Sequence, residues 1–179
     1  MVRAFVALEL SQEIRDQLTI AQETIRYCKA HLTFVDPENI HITIKFLGEV
    51  EQAKLQKVMD AIRSVTFSSF PIKAGTVMVN NPKRPHTVWC KIEDDGWGER
   101  LFNCIEDVLA PLGFERETRR FTPHATIARV RSTDPSLFSV LNNLKGQSYG
   151  SSVICGLKLK KSTLRPQGPV YEDLLEVIW

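Results

Sequence analysis

The chain has 179 residues, enough for one domain or for two small halves sharing a core. Hydrophobic residues make up 43% and charged residues 25%, a globular composition that excludes intrinsic disorder. Lys plus Arg total 23 against 21 Asp plus Glu, a net charge of +2, so the chain does not wrap long nucleic acid over a broadly basic surface and any phosphate site must be local.

The stretch from Arg3 to Leu10 reads as a buried strand. Its apolar run is short, meets Glu9 and lacks an A-x-A cleavage site, so it is not read as a signal peptide. Ser11 can cap a helix with Glu13 in its first turn, and Ile14, Leu18, Ala21 and Ile25 share one helical face. Asp36-Pro37-Glu38-Asn39 is a turn, and Ile40 to Leu47 a β-rich run ended by Gly48. Leu55, Val58, Met59 and Ile62 mark a second amphipathic helix. Strands are expected over Phe70 to Val79 and Thr87 to Ile92, with the loop Asn80 to Pro85 between them.

The second half repeats this order. Leu101, Ile105, Val108, Leu109 and Leu112 mark a helix, and Thr122-Pro123 leads into a strand from His124 to Val130. Asp134-Pro135 opens a helix carrying Leu137, Val140, Leu141 and Leu144. Ser152 to Leu164 and Val170 to Trp179 are read as the last two strands, split by a Pro166-Gly168-Pro169 turn. Ile14 to His41 matches Leu101 to His124 in spacing within a few residues, and His41 to Leu55 matches His124 to Leu137 more closely still. The local sequences agree as well, ENIHITIKFLG against FTPHATIARVR, both reading His-x-Thr-Ile. One such tetrapeptide says little; two at the same place in two similar β/α units indicate an internal duplication whose halves share a central cleft.

Side chains alternate along a strand, so His41, Thr43 and Lys45 face one way and Ile42, Ile44 and Phe46 the other; in the second half His124, Thr126 and Ala128 oppose Ala125 and Ile127. Residues two apart lie roughly 6.5–7 Å apart, so one His ring and one Thr hydroxyl can touch the same phosphate. A pseudo-twofold axis would gather two imidazoles and two hydroxyls around one point. Imidazole titrates near neutrality, so one ring can take a proton from water while the other gives one to a departing sugar oxygen. The hydroxyls would hold the non-bridging oxygens, and the scheme calls for no metal or other cofactor. The two histidines lie far apart in the chain with no third ligand at motif spacing, a poor zinc site. His31 and His86 read as surface residues. The four cysteines, Cys28, Cys90, Cys104 and Cys155, form no C-x-x-C pair, and Cys90 and Cys155 read as small core residues.

The paired motifs resemble the 2H phosphoesterase superfamily, and within it the RNA 2′,3′-cyclic phosphodiesterases, also known as 2′-5′ RNA ligase-like proteins. The segments RAFVALEL, NIHITIKFLGEV, FTPHATIARV and LKKSTLRPQGPVYEDL follow that pattern in order. The resemblance implies an α+β fold, bilobal and duplicated: one domain over residues 1–179, made of two pseudo-symmetric lobes whose two antiparallel sheets line a V-shaped cleft, helices outside. It implies hydrolysis of a 2′,3′-cyclic phosphate at an RNA end, or on a small nucleotide, to a 2′-phosphomonoester. His41 would be the proton donor to the leaving 3′ oxygen and His124 the base; the nearly symmetric motifs cannot make that assignment themselves. Thr43, Thr126 and Arg129 would bind phosphate, although strict alternation points Arg129 away from the cleft unless a bulge turns it. Lys45 has the right face for a site role. Core packing is expected of Phe121, Tyr171 and Trp89, with base stacking the alternative for the first two. Arg84 lies in a loop that could meet an RNA backbone, and Lys158 to Lys161 reads as a solvated strand face. A 2′-5′ RNA ligase and a non-catalytic RNA-end-binding module are the other readings. A cytoplasmic location is expected, since no apolar stretch approaches the ~20 residues of a membrane span, and the chain is expected to act as a monomer.

Overall fold

The computed structural model describes residues 1–179 and contains nine strands and four helices. The first strand, β1 (Val2–Glu9), leads into helix α1 (Gln12–Ile25). The Ser11 hydroxyl accepts from the Ile14 N–H at 3.3 Å, which satisfies one free donor of the first helical turn. The face that α1 buries is the predicted one, joined by Gln22, whose amide donates to the carbonyls of Val35 at 2.7 Å and Ile127 at 2.9 Å. Ser11→Ala is expected to cost about 1 kcal/mol of stability, read as a lower urea midpoint with unchanged slope.

Three further helices follow, α2 (Gln52–Arg63), α3 (Trp97–Leu109) and α4 (Pro135–Asn143). Asp134 caps α4 by accepting from the Ser136 N–H at 2.9 Å, with Pro135 in the first turn. The remaining strands are β2 (His31–Phe34), β3 (His41–Val50), β4 (Phe70–Val79), β5 (Thr87–Glu93), β6 (His124–Ser132), β7 (Ser151–Ile154), β8 (Gly156–Arg165) and β9 (Gly168–Ile178). Every pairing is antiparallel, in the order β7-β4-β5-β6-β3-β1-β8-β9, with β2 on β6. A cluster of 39 buried residues fills the space between one face of this curled sheet and the helices.

The order is symmetric about its middle. Strands β3 and β6, which carry the two histidine motifs, lie at the centre; β1 and β5 flank them, then β8 and β4, then β9 and β7. Beyond the second helix of each repeat a strand crosses to the other side, β4 pairing with β5 and β8 with β1, while β7, between α4 and β8, pairs with β4. Helices cross too: α1 packs on β6 and α4, and α3 on β3 and α2. Each half of the sequence therefore completes the core of the other.

Three expectations needed revision. The strand expected from Ser152 to Leu164 is split at Cys155 into β7 and β8, which lie toward opposite ends of the sheet, and Cys155, expected in the core, is exposed while Cys90 is fully buried. The expected pair of sheets is joined across the middle by one register pair, Ile42 with Ala125, into a continuous sheet. Strand β2 was not anticipated; four residues are too few to show a period.

Candidate active site

The antiparallel register that pairs Ile42 with Ala125, taken one residue further each way, sets His41 opposite Thr126 and Thr43 opposite His124. Each motif's histidine thus neighbours the other motif's threonine at the centre of the sheet. All four side chains are half-buried, whereas Ile42, Ile44, Ala125 and Ile127 between them are fully buried on the helix side. This is the alternation expected from the sequence, and it puts both imidazoles on the open face.

The alternation breaks just beyond each motif. Val6 pairs with Lys45 and Ala7 with Thr43, so Ile44 is an extra residue on β3. Val88 pairs with Ala128 and Trp89 with Thr126, so Ile127 is the extra residue on β6. The same bulge at the same place in both repeats turns the following side chains over. Lys45 goes under the helices, where its ammonium meets Glu106 of α3 at 2.5 Å and the Glu115 carbonyl at 2.8 Å. The expected place of Lys45 in the cleft is therefore corrected: it is 8% exposed and its charge is spent on Glu106. Ala128 turns inward likewise, and Phe46 and Arg129, at equal steps from the two histidines, turn out to the open face. Phe46 is 71% exposed.

Both histidines are held alike. His41 Nδ1 lies 2.7 Å from the Asn39 carbonyl and His124 Nδ1 lies 2.7 Å from the Thr122 carbonyl. A carbonyl only accepts, so both Nδ1 atoms carry hydrogen and both Nε2 atoms are left for chemistry. His41 Nε2 is 3.0 Å from the Thr43 hydroxyl, so ring and hydroxyl converge on one point of the open face. Burial pushes the pKa of both rings below the ordinary 6.5. For His41 the Asn39 carbonyl and Glu9 oppose the shift, while Lys160 and His124 add to it, so each histidine lies within the electrostatic reach of the other.

The surroundings of the two rings differ. His41 stacks on Phe5 with centroids 5.0 Å apart and meets the edge of Tyr171 at 5.5 Å. His124 lies against Trp89 at 4.0 Å. Comparison with known proteins sharpens what this arrangement means. A family model described as LigT like phosphoesterase matches residues 8–90 and 95–171, one histidine motif in each stretch. The chain belongs to the LigT-like phosphoesterase family. It is 33% identical over 174 residues to an RNA 2′,3′-cyclic phosphodiesterase of Archaeoglobus fulgidus, covering 97% of this chain and 98% of that one. It is 32% identical over 178 residues to the protein of the same name in Methanothermobacter thermautotrophicus, covering 97% and 96%. A crystal structure from Thermus thermophilus superimposes with a TM-score of 0.82 at 25% identity, covering 98% of this chain and 97% of that one.

In this LigT-like phosphoesterase several residues sit elsewhere than the sequence led one to expect. Trp89 and Tyr171 are not core residues; both lie half-buried on the open face against the histidines, because they alternate with the buried strand positions Val88 and Cys90 or pair across to β8. Phe121 does pack on the core, stacked on Phe102 at 5.1 Å. Lys158 and Lys160 are no solvated face: Lys160 bridges Glu9 at 2.6 Å and Asp173 at 2.7 Å, and Lys158 holds Asp173 at 2.6 Å. His31, His86 and Arg84 are exposed, away from the motifs. No three His, Cys, Asp or Glu side chains converge as a metal-ion cluster, and no helix is long and apolar enough to cross a membrane. The sequence reading missed Phe5, Phe46 and Glu9; aligning HITIKF on HATIAR would have marked Phe46 as the counterpart of Arg129.

Proposed function

We propose that this chain hydrolyses 2′,3′-cyclic phosphate ends of RNA to 2′-phosphomonoesters, through one site shared by the two pseudo-symmetric lobes of a single domain spanning residues 1–179. The observation that carries this reading is the equal anchoring of His41 and His124 through Nδ1, which presents two Nε2 atoms to one open face beside Thr43 and Thr126. His124 Nε2 takes a proton from water as its oxygen attacks phosphorus. The bond from phosphorus to the 3′ oxygen breaks, and protonated His41 Nε2 gives that oxygen its proton. Thr43, Thr126 and Arg129 hold the non-bridging oxygens, where charge accumulates.

The direction of the reaction follows from the asymmetry of the surroundings. Phe5, Phe46 and Tyr171 cluster on the His41 side. Unpaired bases stack on aromatic faces, so the nucleoside lies on that side and its 3′ oxygen leaves beside His41. Water then approaches from the His124 side. The names of the Archaeoglobus and Methanothermobacter relatives agree with this substrate class.

The test is an RNA oligonucleotide with a 2′,3′-cyclic end, followed over the pH range. Both imidazoles have lowered pKa values in the free protein, so the neutral base persists below pH 6.5 but the protonated acid is scarce above it. The expected profile of kcat/KM is a bell whose maximum lies on the acid side of pH 6.5. The anionic substrate favours the charged imidazole, so the alkaline limb of kcat is expected at higher pH than that of kcat/KM. Linkage has the matching sign: unfolded histidines bind protons that the folded ones refuse, so the free protein loses stability as pH falls from 6.5 through the folded values. An RNA end bound tightly yet intact after hours would instead mark a binding module, and a 2′-5′ linkage formed with a second RNA a ligase.

A further inference from the structure

The lysines of the open face near His41 are neutralised. Lys158 and Lys160 are paired with Asp173 and Glu9, and Lys161 lies on the other face of β8, opposite Ala4. Arg3 is not paired. It is exposed on β1, two residues from Phe5 and therefore on the same face, the face on which Phe5 stacks against His41. Glu49 stands opposite it in the β1–β3 register yet forms no ion pair with it. Two guanidinium groups of β6 on this face also form no ion pair: Arg129, the nearer to the histidines, and Arg131, which donates to the Thr33 hydroxyl at 3.0 Å. The ring of Tyr171 reaches in from the edge strand β9, edge-on to both Phe5, at 5.0 Å, and His41, at 5.5 Å.

We propose that Arg3, with the Tyr171 hydroxyl, forms a second anion subsite that takes the phosphodiester immediately upstream of the terminal cyclic phosphate, so that the site reads the end of an RNA strand in preference to a mononucleotide. The inference rests on the hydrolase reading above and names a residue to which that reading gives no role. Burial pushes the Tyr171 hydroxyl up while Arg129, Arg3 and Lys160 draw it down, so all three cations act on it electrostatically; Lys160 is already committed to carboxylates. Arg129 is the one nearer the histidines, in the position matched by Phe46, and serves the cyclic phosphate. Arg3 lies one side-chain step outward along β1 from Phe5, the ring under His41, roughly 6.5–7 Å, which puts it beside the site and not in it. A terminal nucleoside resting on Phe46 and Tyr171 directs its 5′ side outward past Arg3. A guanidinium suits this task because its fork can hold two oxygens of one phosphodiester. A net charge of only +2 makes an uncommitted arginine on this face an electrostatic feature of its own.

The test compares three substrates: a nucleoside 2′,3′-cyclic phosphate with a free 5′-hydroxyl, a dinucleotide with the same cyclic end, and that dinucleotide with a neutral methylphosphonate linkage. Arg3→Gln is expected to lower kcat/KM on the charged dinucleotide about tenfold, chiefly through KM, and to leave the mononucleotide unchanged. The parent is expected to lose the same factor on the methylphosphonate, and Arg3→Gln to lose nothing more there. The salt dependence of log KM on the charged dinucleotide is expected to flatten by about one unit of slope in Arg3→Gln, and Arg3→Lys to keep most of it. Equal losses on mononucleotide and dinucleotide, a loss that persists on the methylphosphonate, or no loss on any substrate would overturn the subsite. A parent inactive on all three defeats the hydrolase reading itself, a different result from activity that ignores Arg3.

Discussion

Replacing His41 or His124 with alanine is expected to lower kcat for opening an RNA 2′,3′-cyclic phosphate about 10²–10⁴-fold, with unfolding midpoints close to the parent's at neutral pH. The two losses are expected not to multiply in the double variant, because acid and base act in one displacement. A 3′-thio cyclic substrate separates the roles. Its thiolate departs without a proton, so activity is expected to return in His41→Ala and to stay lost in His124→Ala. The reverse pattern would exchange acid and base, and full activity of both single variants on the natural substrate would remove the site altogether. Rapid quench with separation of 2′- and 3′-phosphate products reads all of these outcomes.

The second large effect concerns stability. Lys45 and Glu106 form an ion pair at 2.5 Å with side chains 8% and 3% exposed, and the other Glu106 oxygen has no partner. Lys45→Met leaves that carboxylate buried without its cation, at an expected cost of about 3–5 kcal/mol. For a chain of this size that is a fall in melting temperature of roughly 10 °C, measured by calorimetry. Replacing both residues by methionine is expected to recover most of the loss, because two apolar groups need no partner. The pair also ties the inward turn after the Ile44 bulge to α3, so a slip of β3 in Lys45→Met would move Phe46 off the open face. Unchanged stability of the single variant would mean that the carboxylate reaches water.

Much of this molecule was legible before folding was considered. The helix faces from Ile14 to Ile25 and from Leu101 to Leu109 came from a period of 3.6, and the Ser11 cap from one hydroxyl in the right place. The strand Phe70 to Val79 has the predicted bounds. The candidate site was legible because it is written twice: His-x-Thr sets its own geometry over three residues, and the Thr43 contact to His41 is local.

What lay beyond the sequence depends on partners distant along the chain. Alternation alone placed Lys45 in the cleft and Phe46 in the core, and left Arg129 outside; the bulges that reverse these placements arise where β3 and β6 carry one residue more than the strands beside them, β1 and β5. Trp89 and Tyr171 read as core because a large ring in a strand usually is, and only the curl of the sheet shows that their face is open. The crossing of β4 and β8 into opposite ends, and the split at Cys155, are decisions of pairing between segments far apart in the chain, which no local pattern encodes. The amino-acid sequence by itself determined the two histidines, their threonines and the duplication, because short-range spacing suffices for each. The tertiary structure alone decided what surrounds them, an aromatic side at His41 and a cationic reach from Arg129, because register and curvature are set by contacts across the whole sheet.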